Sequence, residues 1–180
     1  MTEPGDENPI AAQRSNPLEP DPMYFAVSPF KLVVMSFCTL GLYEIYWYYM
    51  NWGIIRRGER SEIVPIGRAI FAYFFCYSLF KRIKDTAESQ RISRSLAAGP
   101  LAVGWIILNC LYRLPDPLWL VAFLGVFFLI PVQKTVNEIN AITHPSHYPN
   151  RKFTGWNIAA VIFGGLVFVL AVIGTLFPVD

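Results

Sequence analysis

Charge is scarce in this chain, and its scarcity is local. Charged residues make up 16% of the 180 residues and hydrophobic ones 54%, whereas soluble chains carry roughly 25% charged residues. Cysteine is also sparse. Cys38, Cys76 and Cys110 fall in three different apolar segments, without metal-ligand spacing, and read as small buried hydrophobes. Histidine is limited to His144 and His147, in His-Pro-Ser-His. Even with Glu138 nearby, two imidazoles fall short of the three or four ligands that zinc takes. No HExxH, no Gly-rich phosphate loop and no nucleophile elbow around Ser146 occurs. These absences remove the motif-bearing enzymes, so no catalytic residue, metal or cofactor is expected. Nucleic-acid reading motifs are missing as well. The N-terminus lacks the basic region and apolar core of a cleavable signal, so the first apolar segment is expected to act as an uncleaved anchor.

What is present is long apolar sequence, unevenly charged. Residues 1–28 carry Glu3, Asp6, Glu7, Glu19 and Asp21 against Arg14, a net charge of −4, with five prolines. Such a stretch buries too little to offset its ordering entropy and reads as a disordered acidic tail. Residues 29–180 carry a net +6 and read as one helical membrane domain.

Five apolar segments divide that domain, at about 29–52, 63–80, 97–112, 118–132 and 154–177. The first has 24 residues, which as one helix would reach about 36 Å, enough to cross a ~30 Å hydrocarbon core. Its second half is crowded with Tyr43, Tyr46, Trp47, Tyr48, Tyr49 and Trp52, rings that favour the headgroup level. The segment 63–80 has an uninterrupted run of twelve residues, Ala69 to Phe80, a length typical of re-entrant or interfacial helices. Arg113-Leu-Pro-Asp-Pro117 turns segments three and four into an antiparallel hairpin. Residues 81–96 fit a basic surface helix with one apolar edge of Ile83, Ala87, Ile92 and Leu96, and 133–142 read as a wet extension of the fourth helix. The last segment is uncharged. Its Gly155, Ala159, Ala160 and Gly164 offer a small-residue face for a homo-oligomer or a membrane partner. The expected fold class is therefore all-α, an integral membrane protein with four or five transmembrane helices.

Lys and Arg set orientation. If 63–80 does not cross, the nine basic residues of 51–96 all lie in the cytoplasm and the tail must be translocated; if it crosses, the tail stays inside and Arg56, Arg57, Arg60 and Arg68 face outward. Both arrangements put 81–96 and 133–152 in the cytoplasm and the C-terminus outside. The stretch 51–96, at net +5, would attract anionic lipid at about 1 kcal/mol per Lys or Arg near the surface.

Two polar groups stand out within the apolar region. Glu44 inside the first segment would cost roughly 2.5–3.5 kcal/mol on insertion scales, and Arg68 precedes the twelve-residue run. Arg68 reads first as snorkelling to headgroups, and an intramembrane polar pair of Glu44 with Arg68 is the other arrangement the sequence allows.

The run Cys38-Thr-Leu-Gly-Leu-Tyr-Glu-Ile-Tyr-Trp47 resembles the core pattern of small bacterial multi-pass membrane proteins, the domain-of-unknown-function 4234-like group. It matches through Thr39, Leu40, Gly41, Leu42, Tyr43, Ile45, Tyr46 and Trp47, with Glu44 at the variable position. Arg68-Ala-Ile-Phe and Cys76-Tyr-Ser-Leu-Phe-Lys-Arg82 resemble a subset of the group. The resemblance implies several helices in a bacterial inner membrane and no particular activity. The leading expectation is a non-enzymatic scaffold or accessory subunit. The alternative is a small transporter or channel component with Glu44 and Arg68 in a polar interior. A membrane enzyme using His144 and His147 comes third.

Overall fold

The computed structural model describes residues 22–144 and 150–177. It is all-helical, with no strand among the described residues. Two stretches are long and apolar enough to cross a membrane: Leu118–Thr143, with 26 residues and mean hydropathy 1.8, and Gly155–Leu176, with 22 residues and mean hydropathy 2.6.

The first apolar segment is two helices, not one. Helix α1 (Pro29–Cys38) starts on a Ser28 cap, whose hydroxyl accepts from the Lys31 N–H at 3.1 Å, with Pro at the first position. It ends where Leu40 and Gly41 both take positive φ, 51° and 85°, and the Gly41 N–H returns to the Ser36 carbonyl at 2.8 Å. That left-handed stop is what glycine allows at a helix end. Thr39 joins the two pieces: its hydroxyl donates to the Met35 carbonyl at 2.7 Å and accepts from the Tyr43 N–H at 2.9 Å. Helix α2 (Leu42–Glu59) then runs back, because Phe25, just before α1, lies against Tyr46 and Asn51 of α2. The expected single span over 29–52 is thus a hairpin. With ten residues, α1 reaches only about 15 Å, half a hydrocarbon core.

Segment 63–80 repeats the device. Helix α3 (Pro65–Ile70) meets α4 (Ala72–Ser89) at a break on Phe71. Arg68 lies against Trp52, midway along α2, while Ile70 and Tyr73 reach the level of Leu42. Helix α4 then returns, and its Arg82 pairs with Glu59 at the end of α2. Both basic clusters flanking 63–80 therefore sit at the same end of the molecule. The separate surface helix expected over 81–96 is instead the second half of α4 as far as Ser89. Of the expected apolar edge, Ile83 and Ala87 are buried on this helix, while Ile92, half-buried, and Leu96, buried, lie beyond its end.

Helix α5 (Ala98–Cys110) leads into a short 3-10 turn, Leu111–Arg113. A 3-10 stretch, Leu118–Gly125, brings the chain back into α6 (Val126–Thr143). The two arms pack closely: Phe128 occupies the space beside Gly104, and Asn109 the space beside Gly125. Residues 133–142 do continue this helix, but only one side of it is wet, at Lys134, Ala141 and Ile142. Gln133, Thr135, Val136, Ile139 and Asn140 are buried.

Helix α7 (Gly155–Leu176) has no buried residue and packs chiefly on α1. The contact is tight. A Cβ on Gly164 would lie 1.7 Å from the Cys38 carbonyl oxygen. Phe168 adds edge contacts to Phe37 at 5.7 Å and Phe123 at 5.1 Å. Since Gly164 is level with the α1–α2 turn, the rest of α7 rises beyond that turn by about 18 Å.

The stretch 22–28 departs from the tail reading. Tyr24, Phe25, Ala26 and Val27 are buried, as an extended strap across the basic end of the bundle. Its aromatic and β-branched side chains supply the apolar surface that the residues before Pro22 lack. The remainder of the expected tail, 1–21, falls outside the described residues.

Candidate functional site

Above the tips of the two hairpins lies a cavity of about 840 Å³. Gly41 and Leu42 of the first tip and Ile70 and Ala72 of the second form its floor, with α5 and the Leu118–Gly125 stretch as walls. Glu44, in the first turn of α2, lines it and is only 7% exposed. One carboxylate oxygen accepts from the Trp105 indole N–H at 2.7 Å. The other has no hydrogen-bond partner among the described residues. Trp105 is itself fixed by Tyr48, with ring centroids 5.2 Å apart, and by Tyr73 at 5.4 Å.

Tyr48 lines the same cavity one helical turn below Glu44. It is fully buried, and its hydroxyl has no partner among the described residues. A buried polar group left unpaired costs about 1–3 kcal/mol. The cavity thus gathers a half-paired carboxylate, a buried unpaired hydroxyl, the Asn109 amide and six aromatic rings in a largely apolar wall. Arg113 stands among the lining residues as the one cation.

The Glu44–Arg68 pair that the sequence allowed is not formed. Arg68 stacks over the Trp52 ring at 4.3 Å and near Phe75 at 5.2 Å. Trp52 is eight residues along α2 from Glu44, about 12 Å away. The short ascending arm α3 leaves Arg68 below the tip while Glu44 lies next to it.

A second polar assembly was not anticipated. Four amide side chains grip the backbone of the strap. The Tyr24 N–H donates to Asn140 Oδ1 at 3.3 Å, and its carbonyl accepts from Asn140 Nδ2 at 2.8 Å. The Phe25 N–H donates to Asn51 Oδ1 at 3.1 Å, and its carbonyl accepts from Gln133 Nε2 at 3.2 Å. Asn137 Nδ2 donates to the Val27 carbonyl at 3.0 Å. A buried backbone segment outside any helix or sheet needs such partners. The Tyr24 hydroxyl meets Thr86 Oγ1 at 2.8 Å, and burial holds its phenol above the ordinary range. The signal was in the spacing. Gln133, Val136, Asn137 and Asn140 occupy i, i+3, i+4 and i+7, one face of α6, which places the amides with the apolar residues rather than opposite them.

The small-residue face divides. Gly164 is occupied by α1 within the chain and Ala160 packs on the core, while Gly155 and Ala159 are exposed. His144 Nδ1 bonds Thr143 Oγ1 at 2.9 Å, and His147 lies outside the described residues. No group of three metal-ligating side chains occurs among the described residues. The chain matches no family model, no curated protein sequence and no solved structure.

Proposed function

We propose that this chain is a non-enzymatic multi-pass membrane protein whose cavity at Glu44 holds a small apolar molecule taken laterally from the bilayer. The observation that carries the reading is the cavity itself, closed below and apolar at its rim. Beneath it Trp47, Tyr48 and Phe80 are fully buried, which favours a binding site over a conducting path. Around it Leu42, Ile70 and Phe74 are 66%, 58% and 80% exposed. Side chains of that kind belong against lipid rather than water, and α7, apolar and unburied along its whole length, belongs there too.

In this reading five apolar units enter the bilayer. Three cross it: α5 with its 3-10 turn, Leu118–Thr143, and α7. The α1–α2 and α3–α4 hairpins enter from the basic end and return to it. The positive-inside rule places that end in the cytoplasm, with 51–62, 81–96 and 150–152. The Arg113–Pro117 turn and the C-terminus lie outside. The strap 22–28 then stays on the cytoplasmic side, so no acidic tail needs translocation. The basic end faces anionic lipid, and the resemblance carried by Thr39–Trp47 points to a bacterial inner membrane. A helical partner or second copy would meet the exposed Gly155 and Ala159.

The exposed Cys110 lines the cavity and reports on its occupancy. In phosphatidylcholine nanodiscs, saturating dodecanol should slow maleimide modification of Cys110, followed by peptide mass mapping. A rate unchanged at saturation by dodecanol and by its charged analogues alike would remove the binding reading.

A further inference from the structure

We infer that the cavity selects an ammonium group bearing N–H donors on an apolar body: a lipophilic primary amine, free or as the head of an amine lipid. This rests on the cavity reading above and names what that cavity prefers. At the deep end the second oxygen of Glu44 has no partner among the described residues, and the buried hydroxyl of the neighbouring Tyr48 has none either. The two residues lie one turn apart on α2 and both line one cavity, so a small shift of the Tyr48 ring brings its hydroxyl to a donor held at Glu44. A carboxylate is acceptor-only when ionised, so its natural complement is a cationic donor. The rings of Trp105, Tyr48 and Tyr73 add the aromatic faces toward which an ammonium is drawn. The Trp105 bond holds the carboxylate in place in advance, so little ordering remains to be done on binding. A neutral alcohol of the same length gains the apolar wall and none of the charge. A quaternary ammonium gains the charge and lacks the donors. The exposed apolar rim sets the rest of the ligand in lipid, and Arg113 at the lining would meet the phosphate if the amine belongs to a phospholipid.

The test is Cys110 protection in phosphatidylcholine nanodiscs, with dodecylammonium, dodecyltrimethylammonium and dodecanol as matched probes. Dodecylammonium should protect at a concentration at least about tenfold below dodecanol, the step expected of one charge-assisted contact. Glu44→Gln, which keeps an acceptor for Trp105, should bring the two together. Tyr48→Phe keeps the ring packing and should reduce the preference for dodecylammonium over its trimethyl analogue. Replacing part of the phosphatidylcholine by phosphatidylethanolamine should protect Cys110 without additive if the lipid is a source. That protection should weaken in Arg113→Gln, whereas protection by the free amine should not. Equal protection by all three probes, unmoved by Glu44→Gln and Tyr48→Phe, would overturn the ammonium preference and leave the cavity standing. Protection by none of them would overturn both. Should Glu44→Gln fail to assemble by size exclusion, Tyr48→Phe alone decides: an unchanged ratio of primary to trimethyl protection overturns the inference.

Discussion

Replacing Asn140 with Ala should free the strap while leaving the bundle folded. Asn140 holds both backbone groups of Tyr24, at 3.3 and 2.8 Å. Asn140 is 2% exposed and Tyr24 3%, so water does not stand in for the missing amide while the strap stays seated. Each unpaired buried group costs about 1–3 kcal/mol, which for two groups gives about 2–6 kcal/mol. Lifting residues 24–27 into water recovers most of that penalty and gives up their burial instead, so the local opening is where the change is felt. An opening made easier by about 2.7 kcal/mol is a hundredfold change in its equilibrium. Hydrogen exchange of the peptide containing Tyr24 and Phe25, measured by mass spectrometry in nanodiscs, should therefore quicken by roughly a hundredfold. Peptides of α2 and α6 should change far less. Asn51→Ala should produce the same local release through the Phe25 N–H, and the double variant should fall short of additivity because both act on one segment. Asn140→Asp should be worse than Ala, since it sets a carboxylate against the Tyr24 carbonyl. If exchange at 24–27 in Asn140→Ala stays as slow as in the parent chain, the amides do not hold the strap and the reasoning fails.

Three further outcomes follow from other contacts. Gly164→Ala should lower stability by about 1–3 kcal/mol, because its methyl group meets the Cys38 carbonyl oxygen and α1 must yield; a thermal melt matching the parent would mean α7 is not seated there. Single cysteines at Arg60 and Gln90 should be labelled from one side of the membrane by an impermeant thiol reagent, and one at Asp116 from the other. Labelling of 60 and 90 from opposite sides would contradict the returning α3–α4 hairpin. Trp105→Phe removes the one donor bonded to the Glu44 carboxylate and should cost about 1.5–3 kcal/mol in denaturant unfolding; in a Glu44→Leu background that cost should largely vanish, and a cost of the same size in both backgrounds would show that the bond is not its origin.

How far the sequence carried the fold depended on the kind of signal. Composition and length suffice for α7, where 22 uncharged, mostly apolar residues need no partner to be recognised as a helix. Pro115 and Pro117 marked a reversal between α5 and α6 through backbone restrictions that hold in any context. The reversal at Thr39–Gly41 was hidden, since hydropathy records how apolar a run is and not which way it points. Gly41 was its only local trace, inside a motif that reads as a helix approaching an interface. That motif now has a physical sense: Thr39 ties the two helices, Gly41 turns the chain, and Trp47 is buried with its N–H bonded to Gln133. Glu44 was legible as an oddly placed acid. Its partner was not, because an indole N–H 61 residues away carries no charge to betray it. Asn51, Gln133, Asn137 and Asn140 were missed for a related reason: amides read as surface polarity until an extended backbone lies beside them.

The two returning hairpins also bear on how the chain is made. If each re-enters and withdraws, nothing between the strap and Leu96 has to be exported during synthesis, and the ten Lys and Arg residues of that stretch are never carried to the far side. The first hydrophilic cargo handed across is the five-residue Arg113–Pro117 turn, with one basic and one acidic side chain. Export of so small a loop asks little of the translocation machinery. The slow event in biogenesis would then be the seating of half-depth hairpins against α5 and α6, which supply the partners for Glu44 and the strap only after they have emerged from the ribosome.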